Sequence, residues 1–398
     1  RLGMLVAITP QLCLAFLPAP SRQCFVSTAP LSLRSGIASV RVHGAGQNRR
    51  ATAKARQIPA PDSGPVRLCA QASEEESMLS TRGYKIWYSV ASPDTPTPRR
   101  LLKHGGSCTP LPIVVLHGGP GVPSDYLQPL KVLAVREQRK MFFYDQLGCG
   151  RSEGPADESF NSVPQAAEDA VTMLQHFADF HGLLDLGGFH LYGHSWGGCL
   201  AVEVLLRQLP KHPRLAQGVA SVVLSNAPDS PKDSMQAARK LIDGYKDEMW
   251  GLKPDEIGMP ADWPREDDFI QQWKLQQANA KFERTNNLRL DYMPQALQRA
   301  YSRMGVHFYG EKVVRSWRVE EAELRQEWPA HVPALVMRGE HDFVSTEAVA
   351  CYVEGIPLAQ YAQLSGLSHM AHLEDPERYK GVLDGWLLSV ESGRVARE

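Results

Sequence analysis

An α/β architecture, a mostly parallel central sheet with helices on both faces and an inserted helical cap, is what this sequence predicts, and three observations carry the prediction. From about residue 81, short apolar β-rich runs alternate with longer amphipathic segments. The alternation stops near Pro231 and resumes near Pro329. The stretch between is polar, helix-prone and rich in aromatics, as an insertion folded into helices would be.

The expected strands are Lys85–Val90, Ile113–Leu116, Met141–Tyr144, His190–Tyr192, Ser221–Leu224, Ala334–Met337 and Gln360–Leu364. Between them, Gln165–Phe180 places Ala166, Ala170, Val171, Leu174, Phe177 and Ala178 at helical spacing, and Cys199–Leu209 follows the fourth run directly. The insertion holds five of the eight tryptophans, Trp250, Trp263, Trp273, Trp317 and Trp328, with Phe282, Tyr292, Tyr301, Phe308 and Tyr309. A cap over a site would use about a third of these to wall a pocket and the rest as ordinary packing. The expected division is a leader over 1–76, a first core part over 77–230, a cap over 231–328 and a second core part over 329–398.

Composition bounds the function. The chain has 398 residues, 43% hydrophobic and 22% charged, enough apolar material for one large core with an accessory domain. Uninterrupted apolar runs of membrane-spanning length are lacking, so no stable membrane span is expected. The net charge of −1 hides an asymmetry: residues 1–72 carry nine Lys or Arg against one acid, Asp62, leaving 34 basic and 43 acidic residues for 73–398. An acid-poor leader with an apolar run at Met4–Pro18, followed by Arg22 and a Ser- and Ala-containing stretch, reads as a two-part targeting signal for a plastid, with mitochondrial or cytoplasmic placement as alternatives. The acidic remainder has no basic stripe, which excludes nucleic acid as the expected partner. Seven cysteines stand singly at 13, 24, 69, 108, 149, 199 and 351. With no CxxC pair, neither a disulfide framework nor a metal site is expected.

The chemistry sits in three places. Gly193-His-Ser-Trp-Gly197 follows an apolar strand and opens a helix, the context of a nucleophile elbow in the α/β-hydrolase fold. Its glycines allow the tight turn that drives Ser195 into an exposed, strained position. A serine hydroxyl needs a base to take its proton and an acid to orient that base, in the chain order Ser, acid, His. Two histidines follow Asp342, namely His369 and His372. His369, in the loop after the last strand, is the expected base, and His372 is the alternative. Asp342 lies just beyond the strand Ala334–Met337, where sites of open α/β sheets gather, and Asp229 is the runner-up. The third place is His117-Gly-Gly-Pro-Gly121 at the end of Ile113–Leu116. It is positioned to supply an oxyanion donor from Gly119, with the N–H of Trp196 as the second.

Together, His117-Gly-Gly-Pro-Gly121, Phe143-Tyr-Asp-Gln-Leu-Gly-Cys-Gly-Arg-Ser152 and Gly193-His-Ser-Trp-Gly-Gly198 resemble the proline iminopeptidase family, nearest its tricorn-interacting aminopeptidase branch. The resemblance covers roughly residues 80–390. It implies a serine peptidase that removes an N-terminal residue, often proline, from a small peptide through an acyl-enzyme, with no metal or organic cofactor. It also implies that Arg151 buttresses a loop near the site. One departure stands out, because this branch holds the substrate ammonium with glutamates. The position after the acid is Phe343, and the second expected Glu falls near Phe308 or Tyr309, with Glu311 the nearest acid. Glu320, Glu321 and Glu323 are possible substitutes. An esterase or amidase of small acyl substrates would use the same catalytic residues, and a non-catalytic ligand receptor of this fold is the remaining class. Ser195 excludes enzymes of this fold that attack with a carboxylate.

Overall fold

The computed structural model describes residues 72–93, 100–101, 107–154, 162–259, 261–305 and 316–395. Among the described residues there are ten strands, β1 (Ala72–Thr81), β2 (Tyr84–Pro93), β3 (Arg100–Leu101), β4 (Ser107–Cys108), β5 (Ile113–Leu116), β6 (Met141–Tyr144), β7 (Phe189–His194), β8 (Val219–Ser225), β9 (Ala334–Gly339) and β10 (Ala359–Leu364). Eight of them form one sheet in the order β1-β2-β6-β5-β7-β8-β9-β10, and β3 with β4 makes a separate ribbon. From β6 to β10 all neighbours are parallel, while β1–β2 and β2–β6 are antiparallel.

The pleat explains the two-sided core. Along β5, Val114 and Leu116 join one cluster with the helices Val163–Phe180 and Trp196–Glu203, while Ile113 and Val115 join the other with Tyr379, Leu383 and Trp386 of the C-terminal helix. Buried on both faces, β5, β6, β7 and β9 have no exposed position, which is why they read as continuous apolar runs.

Two expected boundaries move. Residues 72–76, assigned to the leader, are the first half of β1, which pairs along its full length with β2. Arg82 and Gly83, both at positive φ (51° and 83°), make the two-residue turn that joins them. The targeting reading otherwise falls on residues 1–71, which lie outside the described residues. At the other end, the cap stops short of 328. Trp317, Val319, Leu324 and Trp328 are buried in the sheet's own core with Leu205 and Val332, and Trp317 Nε1 donates to Glu203 Oε2 at 2.9 Å. Their aromatic content resembles that of the cap, but their apolar faces pack on the core of the main sheet. The helices Pro231–Trp250, Asp267–Phe282 and Gln295–Ser302 are the cap elements. Of its aromatics, Trp250, Trp263 and Tyr292 are exposed, and Phe308 and Tyr309 lie outside the described residues. Among the described residues no helix is long and apolar enough to cross a membrane.

Candidate active site

The carboxyl ends of five parallel strands, β5, β7, β8, β9 and β10, deliver the expected residues to one edge of the sheet. At the end of β7 the chain turns sharply into the helix Trp196–Glu203, and only glycine fits on either side of the turn. A Cβ on Gly193 would stand 2.2 Å from the Gly197 carbonyl oxygen, and one on Gly197 would stand 2.1 Å from that of Leu116. Ser195 itself is held at φ 54°, ψ −125°, a region that costs a non-glycine residue energy. Its N–H donates to the Ser225 carbonyl at 2.8 Å, which pins it there. Its neighbours from Gly193 to Gly197 are buried, whereas Ser195 keeps some access.

Beyond β9 and β10, His369 Nδ1 lies 2.8 Å from Asp342 Oδ1. The carboxylate can only accept, so Nδ1 carries the proton and Nε2 is left as a base. Asp342 also receives the Val344 N–H at Oδ1 (2.9 Å) and the Asn226 side-chain amide at Oδ2 (2.6 Å). Asn226 Oδ1 in turn accepts from Ser225 Oγ (3.0 Å), which then accepts from Tyr379 (2.7 Å), whose oxygen accepts from Tyr192 (2.6 Å). Every donor in this buried chain points toward Asp342, so the chain holds the carboxylate in place. The rivals are placed elsewhere. Asp229 is half-buried near Arg318 and Asp233, its carboxyl pushed up to about 6 by burial, and His369 is already engaged by Asp342. His372 is buried with Nε2 donating to the Tyr126 carbonyl at 3.2 Å, and burial drives it down to about 3.

The glycine loop after β5 lies directly against the elbow. A Cβ on Gly118 would approach Ser195 Cβ and the Tyr126 hydroxyl, both to 2.9 Å. His117 orients this loop. Its Nε2 accepts the Gln146 N–H (2.8 Å), so Nδ1 is protonated and donates to the Gly118 carbonyl (3.1 Å), with burial holding the ring's pKa below its usual value. In a trans peptide the C=O and the next N–H are opposed, so the Gly119 N–H points away from His117. Gln146 ties the two halves together, donating to the His117 carbonyl at 2.7 Å and accepting from Trp196 Nε1 at 3.2 Å. Arg151 is a buttress: its guanidinium engages Asp145 (2.8 Å) and Asp125 (3.1 Å) and lies 3.5 Å over the Trp87 ring.

Among the residues named for the substrate, Phe343 is at the site, its ring 4.3 Å from that of His369 and 5.7 Å from Phe282. Glu311 lies outside the described residues. Glu320 and Glu321 are already engaged by arginines: they pair with Arg318 (2.7 Å) and Arg325 (2.5 Å) on the surface, and Glu323 pairs with Arg207. The sequence reading missed Glu283. It follows the cap helix Asp267–Phe282, is half-buried, and accepts from Asn287 Nδ2 at 2.6 Å. Burial raises its carboxyl above the usual range, with Asn287 and the nearby His369 opposing. Asn286 and Asn287, on the same turn, receive the His369 and Met370 N–H groups on their carbonyls (3.2 and 2.8 Å), so this segment of the cap touches the loop that carries His369.

A mostly parallel sheet with a helical cap, a strained elbow serine, an imidazole–carboxylate pair and an apposed glycine loop define an α/β hydrolase. The family model described as "Alpha/beta hydrolase family" matches residues 113–381, and the chain belongs to that family. Within it, the chain is 28% identical over 296 residues to a proline iminopeptidase of Lactobacillus delbrueckii subsp. lactis, covering 70% of this chain and 90% of that protein. It is 27% identical to a proline iminopeptidase of Saccharolobus solfataricus, covering 70% and 86%. The crystal structure of proline iminopeptidase from Mycobacterium smegmatis superposes with a TM-score of 0.62 at 25% identity, covering 80% of this chain and 99% of that one.

Proposed function

We propose that this hydrolase is a serine aminopeptidase that releases an N-terminal residue of proline type from small peptides through an acyl-enzyme, without a cofactor. Ser195 Oγ attacks the scissile carbonyl as His369 Nε2 takes its proton, and the N–H groups of Gly119 and Trp196 receive the oxyanion. His369 then gives that proton to the departing amine. Water, deprotonated by His369, releases the acyl group and restores Ser195.

The similarity to proline iminopeptidases supports the reaction class, and Glu283 is the observation that carries the substrate class. A half-buried carboxylate beside the catalytic base, with burial opposing its charge, is a poor structural element unless a cation meets it. The ammonium or imino group of a peptide's first residue is such a cation, and it would bring the first carbonyl within reach of Ser195. Prolyl and alanyl 2-naphthylamides compared with their N-acetylated forms test the proposal. The free forms are expected to react at least about tenfold faster in kcat/KM, one charge-assisted contact's worth. Equal rates on free and acetylated substrates would overturn it and leave an esterase or amidase of small acyl groups, for which the Phe343 and Phe282 wall would form the acyl pocket.

A further inference from the structure

The residue between Gly193 and Ser195 is engaged on both sides. His194 Nε2 lies 3.0 Å from the main-chain carbonyl of His369, and Nδ1 lies 2.9 Å from the Tyr126 hydroxyl, which is 2.8 Å from the Gly118 N–H. Only one distribution of protons satisfies all three contacts. The His369 carbonyl can only accept, so Nε2 carries the hydrogen. With Nε2 as donor, the neutral ring's Nδ1 is an acceptor and the tyrosine hydroxyl donates to it. That hydroxyl is then the acceptor of the Gly118 N–H. Tyr126 and His194 are both almost fully buried, so water cannot replace a broken link.

From this we infer that His194 is a positioning residue, which through Tyr126 fixes the glycine loop after β5 against the loop that carries His369. The inference rests on the reading of Ser195 and His369 as nucleophile and base. A chain of single, unambiguous donors runs from Gly118, next to the oxyanion donor Gly119, to the backbone of the base, and it passes behind Ser195. Those are the groups whose relative placement decides how well a tetrahedral intermediate is held. The surroundings keep the ring neutral: the rings of His369 and His372 each lie 5.0 Å from it, that of Tyr126 5.3 Å, and burial and the two histidines all oppose its charge. A protonated His194 would turn its Nδ1 into a donor and set it against a hydroxyl already committed to Nδ1, breaking the link to the loop.

A residue that merely fills the core would lower the amount of folded protein and leave each folded molecule as fast as before. The test is therefore turnover per active serine, with the full chain titrated by a fluorophosphonate and assayed on whichever of prolyl 2-naphthylamide or p-nitrophenyl acetate it hydrolyses faster. Tyr126→Phe is expected to reduce kcat per titrated site by roughly 10- to 100-fold with KM changed less than about threefold, because the misplaced donor acts in the transition state. His194→Leu removes both the donor for the His369 carbonyl and the acceptor for Tyr126, and it should behave alike. The double variant should be no worse than the worse single one, since all three break one chain. A kcat per titrated site within about twofold of the unmutated chain in Tyr126→Phe, or fully multiplicative losses, would overturn the inference. Imidazole ¹⁵N shifts give a readout on the unmutated chain: a His194 protonated on Nδ1 at neutral pH would also overturn it. If the unmutated chain is not labelled at Ser195, the catalytic reading fails and this inference fails with it. Failure of the naphthylamide alone touches only the substrate class.

Discussion

Asn226 donates its side-chain amide to Asp342 Oδ2 at 2.6 Å from a left-handed backbone, φ 53°. Asparagine suits that conformation better than most residues, and here the turn aims the amide at the acid. Two variants separate the roles. Asn226→Gly removes the donor and relaxes the backbone, while Asn226→Ala removes the donor and adds about 1 kcal/mol of left-handed strain. Both should lower kcat by about 10- to 100-fold, the worth of a hydrogen bond to a charged group. The urea midpoint should fall further for alanine. A glycine variant with full activity would show that the contact only shapes the turn.

Ser195→Ala should abolish turnover while leaving the unfolding free energy in urea within about 0.5 kcal/mol of the unmutated chain, since it removes one half-buried hydroxyl. His369→Ala should be nearly as inactive, and the double variant scarcely worse, because nucleophile and base act as a unit. Normal activity in His369→Ala, or fluorophosphonate labelling that persists in Ser195→Ala, contradicts these assignments.

The strands β5, β6, β7 and β9 were legible because burial on both faces writes them as apolar runs, and Ser195 and Asp342 were singled out because each follows such a run, whereas His369 follows β10, a strand at the sheet's edge that is only partly buried. The strand β1 was not legible. Its Ser-Glu-Glu-Glu-Ser stretch is exposed at the sheet's edge, so no alternation marks it, and pairing with β2 supplies what propensity does not. Glu283 was hidden for another reason. In Lys281-Phe-Glu-Arg284 it looks like any charge on a helix, and its burial arises only when Asn286 and Asn287 close on the backbone of His369 and Met370. Glu320 and Glu321 are the mirror case, acids whose arginine partners hold them to the surface.

The last turn of the C-terminal helix Pro376–Glu391 provides a stability test. Glu391 is buried against Arg139 and His190 (3.1 Å) and accepts the Leu111 N–H at 2.8 Å. These partners outweigh burial and hold its carboxyl down at about 2. A carboxyl lower in the folded than in the unfolded state stabilises the fold above its unfolded pKa of about 4.3, and that contribution is lost as pH falls toward 2. Glu391→Gln should therefore cost about 3–5 kcal/mol at pH 7, as expected for breaking a buried pair, and progressively less below about pH 4. A pH-independent difference in urea stability would assign the effect to packing alone.

Glu283 makes the substrate reading depend on pH in a defined direction. Its carboxyl is raised above the usual glutamate range by burial, so in the free enzyme it takes up a proton at higher pH than an exposed glutamate would. A bound ammonium favours the ionised form and pulls that titration back down. For a free-amine substrate, kcat/KM should therefore carry an acidic limb from Glu283 at higher pH than the matching limb in kcat, and an N-acetylated substrate should lack it. Glu283→Gln should remove the limb and raise KM for prolyl 2-naphthylamide by about 10- to 100-fold, with kcat reduced far less. Stability should move the other way. Because a raised carboxyl disfavours the folded state at pH values above its unfolded pKa, the glutamine variant should be at least as stable at pH 7 as the unmutated chain. A less stable variant with unchanged KM would show that Glu283 only holds Asn287 in place.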